Sequence, residues 1–235
     1  QSAFILKNQN SMFLKLNKNF MPDQIWLSGK IYNKKFSKIF SNNTKIKILG
    51  SVRRLKKNIK KKIFIKQNTC LVIPEGFYDA TSDLMKFCFK YSQKYYNIKF
   101  IFRIHPELNL DIFFKRYPEL KFYKKYNIII SKNFDPIDDY RKCNFCIYRQ
   151  TTMVSQAIIF SLKPFYLVDK KNISVDSIYL IKKWKEYIHS TSDLMHKINK
   201  FNKQKNKYKY LKNAQNLCNK FYTDINYKLI KKLHN

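Results

Sequence analysis

The chain has 235 residues, 45% of them hydrophobic and 17% aromatic. That excludes a disordered tail and leaves mass for one large domain or two small ones. Its 48 basic and 15 acidic residues give a formal charge of +33, which favours anionic partners, either phosphorylated substrates or an anionic membrane surface, where each basic residue adds about 1 kcal/mol.

The lysines run through every segment beside abundant Asn, Ile, Phe and Tyr. A/T-rich codons produce that mixture, so an evenly solvated charge is a plainer reading than a nucleic-acid stripe. No apolar run approaches the roughly 18 residues of a membrane span, and no signal peptide is visible. The chain opens on Gln1, so it is expected to be a piece of a longer protein. The cysteines are Cys70, Cys88, Cys143, Cys146 and Cys218. An odd count without a repeating frame argues for a reducing compartment over a disulfide scaffold. Cys143 and Cys146 form a lone C-x-x-C with no second pair at zinc spacing, so both are expected to pack in the core.

In chain order, Ile25–Leu27 reads as a strand closed by Ser28-Gly29. Residues 31–40 follow as a short helix with Ile31, Phe36, Ile39 and Phe40 near one face. Ile46–Leu49 is a second strand, ending in Gly50-Ser51. Arg53–Lys62 is a basic, apolar-poor stretch read as an exposed linker. The pattern then becomes regular. The predicted strands are Cys70–Ile73, Phe100–Phe102, Asn127–Ile130, Phe145–Tyr148 and Phe165–Val168. Between them come predicted helices over Asp79–Tyr96, Leu110–Tyr117, Pro136–Lys142 and Thr151–Phe160. The first of these places Leu84, Phe87, Cys88 and Tyr91 on one face. The third has Asp135 as its N-cap and Pro136 in its first position. Further helical segments are predicted over Tyr179–Ile188, Ser192–Phe201 and Tyr208–Leu233. Five alternations with short connections predict an α/β fold with a doubly wound parallel sheet.

In such a sheet ligands bind beyond the carboxyl ends of the strands, where strand order reverses. Three of the predicted strands end in chemistry-bearing loops. The first ends in Pro74-Glu75-Gly76, the second in Arg103, His105, Pro106 and Glu107, and the fourth in Arg149-Gln150-Thr151-Thr152. Pro106 cannot donate to a ladder, so the second strand stops before it. Arg103 and Arg149 offer planar forks to phosphate oxygens. His105 can donate to a phosphate or carry a proton near neutral pH. Thr151 and Thr152 open a helix whose free amides suit an anion. Gly76 admits a backbone close to a ligand, and Glu75 can accept from a sugar hydroxyl. Each signal has a plain structural counterpart as a turn, a cap or a surface pair. Their convergence on one edge favours a phosphate-bearing ligand.

Arg103-Ile104-His105-Pro106, followed by a βα repeat and then Ile147-Tyr148-Arg149-Gln150-Thr151-Thr152 with Ala157 and Pro164, resembles the carboxyl half of bacterial surface-carbohydrate glycosyltransferases of the GT-B type. The His-Pro pair followed by a Ser/Thr pair is similar to sialyltransferases and polysialyltransferases. A related pattern occurs in CDP-glycerol glycerophosphotransferases. The resemblance covers about residues 22–170. It implies a Rossmann-like carboxyl-terminal domain whose amino-terminal partner is largely missing. The implied divisions are 1–51 as the tail end of the acceptor-side domain, 52–68 as a basic linker, 69–205 as the nucleotide-sugar-binding domain and 206–235 as a carboxyl-terminal helix. His105, Thr151 and Thr152 would meet the nucleotide phosphates. Glu75-Gly76 partly resembles the acidic-Gly loop of the sialyltransferases, which would make Glu75 a catalytic base beside His105. Arg103, Arg149 and Gly76 complete the expected donor site.

The function so implied is transfer of a sugar from a nucleotide-activated donor, CMP-linked donors included, to a glycan or lipid-linked acceptor of capsule or lipopolysaccharide. It would occur in the cytoplasm, with peripheral contact to an anionic membrane. No Asp-x-Asp pair is present, so a metal-independent reaction without a resident cofactor is expected. Glycerophosphate transfer from CDP-glycerol is the enzymatic alternative. A basic nucleic-acid-binding module is the non-enzymatic one, with nucleic acid not the expected partner.

Overall fold

The structure, a computed structural model, describes residues 17–40, 44–55, 68–168 and 176–231. The basic stretch Arg53–Lys62 lies largely outside them. The described chain forms two compact units: one from the residues up to 55 together with 215–231, the other from residues 68–214.

The larger unit carries the predicted alternation. Its strands are β3 (Thr69–Ile73), β4 (Lys99–Phe102), β5 (Ile128–Ile130), β6 (Phe145–Tyr148), β7 (Lys163–Leu167) and β8 (Glu186–Ile188). They form one parallel sheet in the order β5-β4-β3-β6-β7-β8. All five residues of β3 and all four of β6 are buried. That is why these strands read as continuous apolar runs without alternation: helices cover both faces of a doubly wound sheet. Order reverses between β3 and β6, the first strand of the unit and the one that follows β5.

The helices arise from local signals. Helix α2 (Tyr78–Lys94) buries Leu84, Met85, Cys88 and Tyr91 at helical spacing. In α3 (Leu110–Arg116), the Asn109 side chain accepts from the amides of Asp111 and Ile112. In α4 (Pro136–Lys142), Asp135 Oδ1 accepts from the Ile137 amide at 2.9 Å, with Pro136 opening the helix. A 3-10 segment, Pro118–Tyr126, leads into β5. Helix α5 (Val154–Ile159) is shorter than predicted, beginning after the threonine pair. The predicted helix over Tyr179–Ile188 is a turn followed by β8. Helices α6 (Thr191–Lys203) and α7 (Lys207–Cys218) follow. Cys143 and Cys146 are buried, in keeping with packing. Burial also holds the Cys70 and Cys88 thiols well above the usual thiol range.

In the smaller unit, β1 (Gln24–Leu27) and β2 (Lys45–Ile48) are parallel, joined through α1 (Asn33–Ile39). The helix predicted over Tyr208–Leu233 is broken: α7 stops at Cys218, and α8 spans only Tyr227–Lys231. The intervening segment crosses the carboxyl ends of β1 and β2. The Thr223 amide donates to Ser28 O at 2.9 Å, and Ser51 donates to Thr223 O at 3.0 Å. Asn226 donates to Leu49 O at 2.9 Å. A Cβ on Gly29 would lie 2.3 Å from Phe221 O, and one on Gly50, at φ +88°, 2.2 Å from Asp224 O. Both positions therefore require glycine. No helix among the described residues is long and apolar enough to cross a membrane.

Candidate functional site

The reversal between β3 and β6 puts their carboxyl-terminal loops side by side, with Ile73 paired to Tyr148 as the last rung. The two loops are clasped. Glu75 Oε2 accepts from the Gln150 amide at 3.3 Å, and Glu75 Oε1 lies 3.9 Å from Arg149 Nε. Thr81, from the first turn of α2, donates its hydroxyl to Glu75 O at 3.1 Å and fixes the loop from below. Glu75 is only 7% exposed. Its carboxylate is turned into the protein, onto Arg149 and the Gln150 amide, so it holds the two loops together. That is a different task from the catalytic base expected of it.

Arg149 is also buried, and its guanidinium is shared between Glu75 and Asp83, the latter at 3.5 Å. Asp83 is not among the residues the sequence singles out. Its place on the first turns of α2 brings it under the β6 loop. A guanidinium flanked by two carboxylates contributes little net positive charge here.

His105 joins the same edge from β4. A Cβ on Gly76 would lie 3.0 Å from the His105 Nδ1, so the glycine leaves just the room that the ring occupies. The Glu107 amide donates to His105 Nδ1 at 3.3 Å, and Glu107 Oε2 stands 3.8 Å from the same nitrogen. With Nδ1 accepting, the neutral ring carries its hydrogen on Nε2; on protonation, Nδ1 can turn to the Glu107 carboxylate. The imidazole is about one third exposed, at 35%.

The threonine pair sits in the turn before α5, not within the helix. Thr151 Oγ1 accepts from the Met153 amide at 3.3 Å, and Thr152 O accepts from the Ser155 hydroxyl at 2.9 Å. Six residues of helix give only a short macrodipole. The Thr151 carbonyl accepts from Ser177 Oγ at 2.6 Å. Ser177 is held in turn by a buried knot around Asp176. That carboxylate accepts from Tyr148 Oη at 2.8 Å, from the Ile178 amide at 3.1 Å and from Tyr187 Oη at 3.1 Å, and it pairs with Lys185. Burial first, then the Asp176 charge, pushes the Tyr148 phenol well above its usual range and Tyr187 up to about 12. The expected helix over Tyr179–Ile188 held Lys185 and Tyr187 but neither Asp176 nor Tyr148, so nothing local in the sequence joins these four residues.

Arg103 does not join these groups. Its guanidinium donates to Asp139 Oδ2 at 2.7 Å, to Asn133 O at 3.0 Å and to Phe134 O at 2.8 Å. Asp139, 1% exposed, also accepts from Ser131 and from Asn133 Nδ2 at 2.6 Å. Arg103 thus braces the loop between β5 and α4, and the guanidinium expected to hold phosphate is occupied by the Asp139 carboxylate and two carbonyls. Of the predicted site, the structure brings together Glu75, Gly76, His105, Arg149 and the loop of Thr151 and Thr152.

No protein-family model and no curated sequence matches the chain. Solved structures do resemble it. Anabaena Alr3699/HepE, solved in complex with UDP and glucose, is 10% identical with a TM-score of 0.58, over 92% of this chain and 64% of that one. TarM is 13% identical with a TM-score of 0.55, over 97% and 46%. Sucrose-phosphate synthase from Thermosynechococcus elongatus is 10% identical with a TM-score of 0.54, over 91% and 57%. The chain therefore spans between about half and two thirds of the length of these proteins. At such identities the likeness concerns the fold, an α/β architecture with a parallel sheet consistent with the Rossmann-like carboxyl-terminal domain of GT-B glycosyltransferases.

Proposed function

We propose that the larger unit binds a nucleotide-activated sugar and forms the donor half of a glycosyltransferase. The observation that carries this reading is the clasp at the strand-order reversal. Glu75 accepts from the Gln150 amide and Gly76 leaves room for His105, so the loops after β3, β4 and β6 meet at the carboxyl edge of the sheet, where folds of this kind bind their ligands. Glycosyl transfer builds negative charge on the leaving phosphate as the bond breaks. Groups fixed before the reaction stabilise that charge without reorganising. His105 Nε2–H and the Thr151 and Thr152 hydroxyls are the groups assigned to it. Arg149 and Glu75 position that loop. The presence of UDP and glucose in the HepE structure supports a nucleotide sugar as ligand class.

The acceptor in this proposal is a surface glycan or its lipid-linked precursor, met at the inner face of a membrane. Glycerophosphate transfer from CDP-glycerol uses the same edge and differs only in donor. The test is a thermal-shift screen against CMP-, CDP-, UDP- and GDP-linked sugars and CDP-glycerol, with and without a divalent cation. A donor at one hundred times its dissociation constant adds about 2.7 kcal/mol. A shift with one donor, lost in His105→Ala, supports the reading and names the base. No shift with any donor at millimolar concentration overturns it.

A further inference from the structure

A second feature of the larger unit lies at the opposite side of the sheet, away from the strand-order reversal. β5 is one of the two edge strands of the sheet. Phe100 donates to Asn127 O at 3.0 Å, and Ser131 donates to Phe102 O at 2.9 Å. In a parallel ladder that register turns Ile129 toward β4 and leaves the N–H and C=O groups of Ile128 and Ile130 facing outward. A groove of about 450 Å³ runs along this edge, floored by Ile128, Ile129 and Ile130 and flanked by Tyr123 of the 3-10 segment. Ile129 is 45% exposed. Lys99, Lys124 and Lys132, all exposed, line its rim, and no acidic residue lines it.

We propose that this edge is a docking slot for an extended acidic segment of a partner polypeptide, which adds a strand beside Ile128–Ile130. Four outward main-chain groups supply the hydrogen bonds of strand addition, and the apolar floor takes alternate side chains. The three lysines meet carboxylates on the remaining positions. Both ends of the slot are already fixed. Asn127, at φ 55°, donates its side chain to Ile98 O at 2.9 Å at one end. The Arg103–Asp139 brace holds the loop that follows Ser131 at the other. A slot that does not have to order on binding loses less affinity to entropy. A second copy of this chain is a poor occupant, because two such edges brought together set lysines against lysines; the same charges protect the free edge from self-association. Nucleic acid would answer the lysines, but its acceptor-only phosphates cannot pair the outward C=O groups that alternate with the amides.

The test uses the full chain and a fluorescein-labelled, acetylated Glu-Val-Glu-Val-Glu-Val-Glu amide, followed by anisotropy. Ile130→Pro removes one outward N–H that the β4 ladder does not use, and edge strands tolerate proline there. It should weaken binding about tenfold at unchanged melting temperature. Lys99→Glu/Lys124→Glu/Lys132→Glu should weaken it by at least the same factor. Reversing the exposed Lys205, Lys209 and Lys212 instead should change it by less than about threefold, the residue of long-range charge. Should Ile130→Pro fail to fold, the same peptide N-methylated at its valines replaces it and should not bind. The proposal is overturned if the peptide does not bind, if it binds Ile130→Pro or in N-methylated form as well as the parent pair, or if the control reversal costs as much as the rim reversal. It also falls if poly(U) of equal charge displaces the peptide completely and binds Ile130→Pro undiminished.

Discussion

Arg103 and Arg149 each stand one residue past the end of a buried strand, and from the sequence they are interchangeable. Arg103 ends β4, on the β5 side of the sheet, and meets the buried Asp139, 36 residues further on. Arg149 ends β6, at the reversal, and meets Glu75 and Asp83. One arginine therefore secures the loop between β5 and α4, and the other ties together the loops that follow β3 and β6. Similar side chains in similar local settings acquire different tasks from the strand next door and from where the nearest carboxylates fall.

The sharpest way to break this comparison is to remove the first arginine. Arg103→Ala leaves Asp139 buried beside only Ser131 and Asn133, and should cost about 3–5 kcal/mol in urea unfolding. Nucleotide affinity of the folded fraction should stay unchanged; a parallel loss of affinity would return Arg103 to the site. Next in size is Gly76→Val, which forces the His105 ring aside. It should weaken donor binding about a hundredfold by calorimetry, with a stability loss of about 1–3 kcal/mol. His105→Ala and Thr151→Ala should each weaken binding about tenfold, about 1.4 kcal/mol, with the melting temperature nearly constant. Unchanged affinity in both would reduce the crevice to another braced loop.

The smallest effect concerns the knot behind Thr151. The raised Tyr187 phenol binds its proton more tightly in the folded chain than in the unfolded one. Its stability contribution is therefore complete below about pH 10 and is lost as pH rises toward 12, since the native state then holds more protons than the unfolded state. Tyr187→Phe should flatten the alkaline part of the stability curve, measured by denaturant midpoint against pH. An unchanged slope would detach Tyr187 from the Asp176 knot.

Much of the larger unit was legible because its signals are local. The runs at β3, β4 and β6 are apolar on both faces, and Asp135-Pro136 announces a helix that the structure begins at Pro136. The convergence of the Glu75, His105 and Thr151 loops was legible in outline, since an alternating chain leaves few topologies open. Contacts distant in sequence were not legible. Asp139 gives no hint that it will claim Arg103, and Glu75 none that its carboxylate will turn inward to an amide 75 residues on. The helix expected over Tyr179–Ile188 gives way to a turn and β8, and Ile178, Ile181 and Trp184 do not line a helix face. They are buried instead by a turn that Asp176 and Lys185 pin shut.

The segment that crosses β1 and β2 bears on the order of assembly during synthesis. Its bond partners lie up to 195 residues apart in the chain. The sheet of the larger unit lies within one continuous stretch and can close as soon as that stretch leaves the ribosome. The smaller unit must wait, its two glycine turns uncovered, until residues 219–226 emerge and loop back. Closing so long a loop costs little more entropy than closing a moderate one. The delay is therefore set by translation and not by free energy, and a nascent chain halted before Lys220 should display one finished sheet and one unsealed.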